Sequence, residues 1–285
     1  MGIPLDDLVT TVVITNGGGD MLGRTMPRHR APLIVVDNGS TDGAVDAAVR
    51  GRDDVRVVRL PGNIGAVARN VGVAAARTPY VAFADDDSWW APGALDRAAA
   101  ILRDHGDVAL VAARILVGPG NRPDPTCARM LESPLPAWHD GDGAAGRSVI
   151  GFIACATVVR RDAFLRAGGF DDVVFFAGEE ERLALDLLSA GWRLVYVPDV
   201  VAHHDPQPAR DRRHRGRLIV RNSILTALMR RPWPVALGRA RAALGSADGR
   251  AGLAAALPRV VSGLRQRRPV APHVERAVAV VERFG

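Results

Sequence analysis

Lysine is absent from this chain: every one of its 37 basic residues is an arginine, a trait read here as genome composition rather than function. Cysteine is almost absent. Cys127 and Cys155 are too few and too far apart for a disulfide framework or a thiolate metal centre, so buried free thiols are expected. No run approaches the roughly 18 consecutive apolar residues that cross a bilayer. The longest candidate, residues 149–159, is interrupted by Gly151 and ends at Arg160, and is read as a buried strand. Asp6 and Asp7 stand where a signal peptide carries positive charge, which leads to the expectation of a cytoplasmic protein. Aromatic residues make up 5% of the chain, and the basic C-terminal region lacks the interleaved aromatics that stack bases, which argues against a nucleic-acid partner.

What is present is apolar material for a large core, 48% hydrophobic against 24% charged residues, over 285 positions. A catalytic domain with an appendage fits this length. Charge is unevenly placed. Residues 205–285 hold 17 arginines against 5 carboxylates, whereas residues 1–204 hold 20 against 26. An acidic front suits a divalent metal. A basic tail suits anionic lipid, phosphate or solvent, and peripheral contact with the inner face of the cell membrane and a solvated helix face both remain open.

Apolar runs at 9–15, 33–37, 55–60, 80–84 and 108–115 alternate with helical patterns at 42–49, 64–76 and 92–103. This alternation predicts a sheet covered by helices, a nucleotide-binding donor half over about 9–115. Residues 116–147, rich in Gly, Pro and Asp, are expected to be irregular. A second stretch of strands and helices follows over about 149–204, including a helix from about 179 to 190, and completes a domain over 1–204. Residues 205–285 are expected to form a basic helical extension broken at prolines 232, 234, 258, 269 and 272.

Four constellations carry chemistry. Asp37 ends an apolar strand and precedes a polar turn, where ligands of open α/β sheets bind; it could meet a base or ribose, while Ser40 and Asp42 serve the turn. Gly62, Asn63 and Gly65 lead into a helix on which small residues allow close packing and Arg69 could reach a base or phosphate. Asp85, Asp86 and Asp87 crowd one strand end, and their mutual repulsion is most simply relieved by Mg²⁺ or Mn²⁺ shared with a diphosphate. Glu179, Glu180 and Glu181 open a helix. They could supply a general base, or simply oppose the helix dipole. His203 could complete a metal shell, or be structural.

The ordered motifs VVDNGSTD at 35–42, GNIGAVARNVG at 62–72, FADDD at 83–87, GGFDD at 168–172, GEEERL at 178–183 and YVPDVVAHH at 196–204 resemble the family 2 glycosyltransferases of GT-A fold over roughly residues 9–204. That resemblance implies a Rossmann-like sheet flanked by helices and transfer of a sugar, with inversion, from a nucleoside-diphosphate donor to a hydroxyl of a glycan, lipid-linked glycan or small molecule. It implies a nucleotide-sugar site taking in Thr15, Asp37, Asn63, Arg69, Asp85 and Asp86. The metal would lie at Asp85, Asp87 and His203, and the base would be Glu180, with Glu179 beside it. The chain departs from the family in three places. Thr15-Asn16-Gly17-Gly18-Gly19 replaces a Thr-Tyr-Asn type motif, Glu180 stands where an Asp is usual, and Arg182 stands where an acid is expected. A catalytically inactive sugar-nucleotide-binding protein and a nucleotidyltransferase are the alternatives.

Overall fold

The computed structural model describes residues 4–30, 32–141, 143–206 and 212–284. Residues 207–211 of the basic tail lie outside the described residues. Among the described residues there are eleven strands: β1 (Val9–Thr15), β2 (Leu33–Asp37), β3 (Val55–Arg59), β4 (Tyr80–Asp85), β5 (Ser88–Trp90), β6 (Val108–Val117), β7 (Arg122–Pro123), β8 (Ala137–Asp140), β9 (Gly143–Ser148), β10 (Thr157–Arg160) and β11 (Arg193–His204). They form one sheet in the order β3-β2-β1-β4-β10-β6-β11-β9-β8, with β5 on β11 and β7 on β6. The β3-β2-β1-β4 portion is parallel. β10 runs antiparallel between β4 and β6, so the sheet is mixed.

The parallel portion has the order of a Rossmann half; β1, β2 and β4 are apolar and buried on both faces, and β3 forms its half-exposed edge. Val12, Val13, Val35, Val36 and Phe83 are fully buried. Register aligns the strand ends: Thr15 is opposite Asp37, and Ile14 opposite Asp85. The carboxyl edge of the sheet therefore gathers residues that are 71 positions apart in sequence, Ile14 and Asp85.

Helices α1 (Gly19–Thr25), α2 (Ala44–Ala48), α3 (Ala68–Ala75), α4 (Ala94–Asp104), α5 (Pro125–Leu131), α6 (Arg161–Arg166) and α7 (Glu179–Ser189) connect and cover the strands. α3 approaches the sheet closely at Gly72. A Cβ there would lie 2.3 Å from Val12 Cγ1, so the small residue sets the helix-to-sheet distance. The expected irregular stretch at 116–147 instead holds β7, α5, β8 and the start of β9. Asp124 caps α5 by accepting from the Thr126 amide at 2.8 Å, with Pro125 at the first helical position, an ordinary start signal in a Gly- and Pro-rich segment. The strand expected over 149–159 is also revised: β10 begins only at Thr157, after a 3₁₀ turn at Ala154–Ala156 whose first amide donates to Glu180 Oε1 at 3.3 Å.

Helices α8 (Arg212–Arg230), α9 (Trp233–Ala243), α10 (Ala247–Ala256), α11 (Val260–Arg265) and α12 (Pro272–Phe284) break near the expected prolines. They share a core with the segment before α7. Val173 and Val174 pack with Ile224, Leu225, Met229, Ala243 and Ala256. Much of the tail's arginine charge is used internally: Arg230 pairs with Asp186, Arg231 with Glu275 and Glu282, Arg239 with Glu181 and Glu282, and Arg217 with Asp248. Cys127 and Cys155 are buried free thiols, as expected.

His29, buried between Arg52 and the Ser88 carbonyl, has its pKa pushed down to about 4, chiefly by loss of hydration and then by the Arg52 charge. A histidine whose folded pKa lies below its unfolded value of 6.5 binds more protons when unfolded, so its contribution is present above pH 6.5 and lost as pH falls towards 4. In urea titrations at pH 7 and pH 5, the change in stability on acidification is expected to be about 2 kcal/mol less favourable in wild type than in His29→Phe. Equal pH dependence in both proteins would remove the assignment.

Candidate active site

The carboxyl ends of β1, β2 and β4 and the start of α7 form one polar cleft. At the β2 end, Asp37 is buried; its Oδ1 accepts from the Ser40 amide at 2.8 Å and its Oδ2 lies 3.6 Å from Arg59. The carboxylate thus shapes its own turn with one oxygen. Behind it runs an amide network in which the sequence singles out Asn63 as a site residue but not its partners Asn16 and Asn38. Asn16 donates to the Asn38 carbonyl at 2.8 Å, Asn63 donates to Asn16 Oδ1 at 3.0 Å, and Asn38 donates to Asn63 Oδ1 at 3.1 Å. The glycine-rich turn joins this rim: Gly17 and Gly19 donate their amides to Ser40 Oγ and Asp42 Oδ2.

Each aspartate at the β4 end has its own protein partner. Arg69 pairs with Asp85. Thr15 donates its hydroxyl to Asp86 Oδ2 at 2.7 Å, and Thr25 donates to the Asp86 carbonyl at 2.8 Å. Burial first, opposed by the Thr15 hydroxyl and reinforced by Asp87 and Asp85, raises the Asp86 pKa to about 6. Asp87 Oδ1 is buried without a hydrogen bond, and His204 Nε2 stands 3.4 Å from it. Burial disfavours charge on His204, but the Asp87 carboxylate beside it and the charges of Asp85 and Asp124 outweigh that and raise its pKa. The repulsion expected to require a cation is therefore largely met by Arg69, Thr15 and His204.

Two side chains take positions that the sequence does not show. Arg69 lies inside the protein. It is 3% exposed, paired with Asp85, 3.7 Å from Glu179 Oε1 and over the Phe170 ring, because α3 lies tight against the sheet. His203 points away from Asp87, stacking on Trp89 at 5.2 Å and meeting Asn121 Oδ1 at 3.2 Å. Neighbouring strand residues face opposite sides, so it is His204 that faces the aspartates. Among the described residues, no three His, Cys, Asp or Glu side chains converge to hold an ion by themselves. The pair that fits a divalent ion is Asp87, with its unbonded oxygen, and His204; such an ion would draw its other ligands from phosphate oxygens.

At the start of α7, Glu179 is 3% exposed and faces Arg69, while Glu180 accepts from the Ala154 amide at 3.3 Å and stays partly open. Burial raises both pKa values; for Glu179 the adjacent Glu180 charge adds to this, and Arg69 opposes it for both. Glu181 turns outward to Arg239 at 2.8 Å. Arg182, where an acid is expected, donates to the Gly169 carbonyl at 2.6 Å and lies near Asp171 and Asp186.

This geometry can be set beside known proteins. The family described as Glycosyl transferase family 2 matches residues 27–167. A pre-mycofactocin glycosyltransferase of Mycobacterium tuberculosis is 34% identical over 204 residues, 69% of this chain and 42% of that protein. The chain belongs to glycosyl transferase family 2. It spans less than half the length of that relative. An N-acetylglucosaminyl-diphospho-decaprenol L-rhamnosyltransferase of the same organism is 29% identical over 244 residues, 70% of this chain and 77% of that protein. In fold, the family 2 chain superposes on the mannosyltransferase of Pyrobaculum calidifontis in complex with GDP-Man and Mn²⁺ with a TM-score of 0.61 and 20% identity, over 97% of this chain and 79% of that one. The fold is GT-A, as the motifs imply.

Proposed function

We propose that this family 2 chain transfers a sugar from a nucleoside-diphosphate donor to an acceptor hydroxyl, with inversion and with help from a divalent ion. The observation that carries the reading is the Arg69 guanidinium, which pairs with Asp85 at the end of β4 and approaches Glu179 at 3.7 Å. One cation thus ties the donor-side strand end to the acidic helix start and fixes the spacing between the proposed donor site and base. Asp37, Asn63 and the Asn16–Asn38 rim would receive the nucleoside, and Thr15 and Asp86 would border the donor. Asp87 and His204, in place of His203, would hold Mg²⁺ or Mn²⁺, which supplies charge stabilisation on the departing diphosphate when bound.

Glu180 is the base in this scheme. The acceptor oxygen forms a bond to the anomeric carbon as its proton passes to Glu180. The bond from that carbon to the diphosphate oxygen breaks, and the electron pair leaves with the nucleoside diphosphate. Glu179 is too enclosed for that proton and instead orients Arg69. The test is nucleoside diphosphate release across a donor panel, and a folded protein that releases none would leave only a binding or scaffold role.

The acceptor is proposed to be lipid-linked, with the C-terminal helices resting on an anionic membrane surface. Trp233, Leu237 and Leu244 are exposed and spaced to share one face of α9, and Leu257, Val261 and Leu264 do the same across α11 and the turn before it. Arg267 stacks on Trp233 at 4.0 Å and joins the two stripes. Arg241, Arg265 and Arg268 are exposed beside them. Asp248, Glu275 and Glu282, the carboxylates of residues 212–284, are all ion-paired with arginines, so the field around the stripes is positive. Among the described residues no helix is long and apolar enough to cross a membrane. Flotation with phosphatidylglycerol vesicles should recover the protein at low salt and not at high salt, and Leu237→Asp should weaken recovery. Equal recovery with phosphatidylcholine, or none with either lipid, would exclude this surface.

A further inference from the structure

The segment between Asp171 and α7 makes its backbone hydrogen bonds in an unusual way. Residues 172–177 belong to no helix or strand, yet all six of their carbonyls are satisfied by groups from elsewhere in the chain. Arg259 donates to the Asp172 and Val173 carbonyls at 2.6 and 3.1 Å. Arg221 donates to Val174 at 2.8 Å, and Asn222 Nδ2 donates to both Phe176 and Ala177 at 2.6 Å. The remaining carbonyl, of Phe175, accepts from the Ala66 amide at 2.7 Å. Asn222 is fully buried, and its Oδ1 accepts from Arg221 Nε at 2.8 Å, which fixes the orientation of its amide.

The segment needs such restraint. Phe175 and Ala177 have φ of 67° and 69°, a left-handed conformation that side chains with a Cβ disfavour, and Gly178 follows at 86°. Glu179 comes next, and Gly178 offers no side-chain cap to α7. On the opposite side, Gly65 has no room for a side chain: a Cβ there would lie 2.4 Å from the Phe175 carbonyl oxygen. The strained segment is therefore gripped between the Gly65–Ala66 turn, which leads to Arg69, and α8, and it sets where α7 begins.

We infer that Asn222 and Arg221, which lie outside the stretch that resembles the family, are positioning residues for Glu180: they hold the 172–177 carbonyls so that α7 starts with Glu180 facing the cleft. This role rests on the reading of Glu180 as the base. A lost amide at position 222 would leave the buried Ala177 carbonyl and the part-buried Phe176 carbonyl without this donor and free the left-handed residues to relax, tilting the first turn of α7.

The full chain carrying Asn222→Ala should be compared with wild type by hydrogen exchange and by steady-state kinetics. Exchange at the Ala66 amide and across 175–182 is expected to accelerate about ten-fold or more, with β1 and β4 unchanged. The kcat should fall about 10²-fold with donor KM unchanged, a split that general loss of stability does not produce. If Asn222→Ala does not fold, Arg221→Met removes the donor to Val174, keeps the aliphatic stem and should give the same two changes. Unchanged exchange in a folded variant would overturn the grip itself. Accelerated exchange with unaltered kcat would overturn its catalytic role while leaving the proposed transferase standing. A wild-type protein that turns over no donor would remove the transferase reading, and the catalytic role with it.

Discussion

Glu180→Gln should bind sugar nucleotide as wild type does and turn over about 10³-fold more slowly. Glutamine keeps the size of the side chain and an oxygen for the Ala154 amide, which lies 3.3 Å from Glu180 Oε1, but it cannot accept the acceptor's proton. Thermal shift with donor should therefore be unchanged while kcat collapses. The pH profile gives the same residue a second signature. Burial raises the Glu180 pKa above the ordinary carboxylate range, with its own and the Ala154 amides and Arg69 opposing. Because the base must be deprotonated, kcat should fall with decreasing pH along a limb displaced upward from 4.5. Retained turnover in the variant would move the base to another group, with Glu179 the nearest.

Asp87→Ala should abolish the Mn²⁺ dependence of donor binding and reduce turnover about 10³-fold or more, since ion and diphosphate would lose their anchoring carboxylate. Its unfolding midpoint without ligand should stay near that of wild type, because the buried Oδ1 makes no hydrogen bond to lose. Asp85 is a poorer probe. Its removal strips buried Arg69 of its main partner, so a loss of activity would mix ion binding with destabilisation. Manganese-dependent donor binding that survives in Asp87→Ala would exclude the ion site at Asp87 and His204.

The parallel half was legible because its signals are local: short apolar runs stand at 9–15, 33–37 and 80–84, the last two followed by or ending in aspartate, and β1, β2 and β4 lie where these runs stand. The gathering of Asp37, Asp85–Asp87, Glu179 and Glu180 at one edge accords with the order of the motifs, whereas Glu181 turns outward to Arg239. Side-chain direction and long-range pairing did not. Nothing in the pair His203-His204 says which ring faces Asp87; that depends on the pairing of β11 with β5, where His204 is opposite Ser88. Arg69 read as a donor contact because it follows a glycine-rich turn, yet its depth is set by Gly72 against Val12, a contact across 60 positions. The charge of the tail read as a surface property, whereas Arg230, Arg231 and Arg239 lie within ion-pair networks that tie the helices together and to α7. Asn222 carries no motif at all; its importance comes from the two carbonyls it meets.

The central claim is that the cleft bounded by Asp37, Asp87 and Glu180 performs sugar transfer assisted by a divalent ion. Nucleoside diphosphate release should be followed with UDP-, GDP- and dTDP-sugars, in the presence of saccharide and polyprenyl-diphosphate acceptors, with Mn²⁺ and with EDTA. Release from one class of donor that depends on acceptor, stops with EDTA and returns with Mn²⁺ is the predicted result. A folded protein that releases none of them, or releases equally well in EDTA, would contradict it.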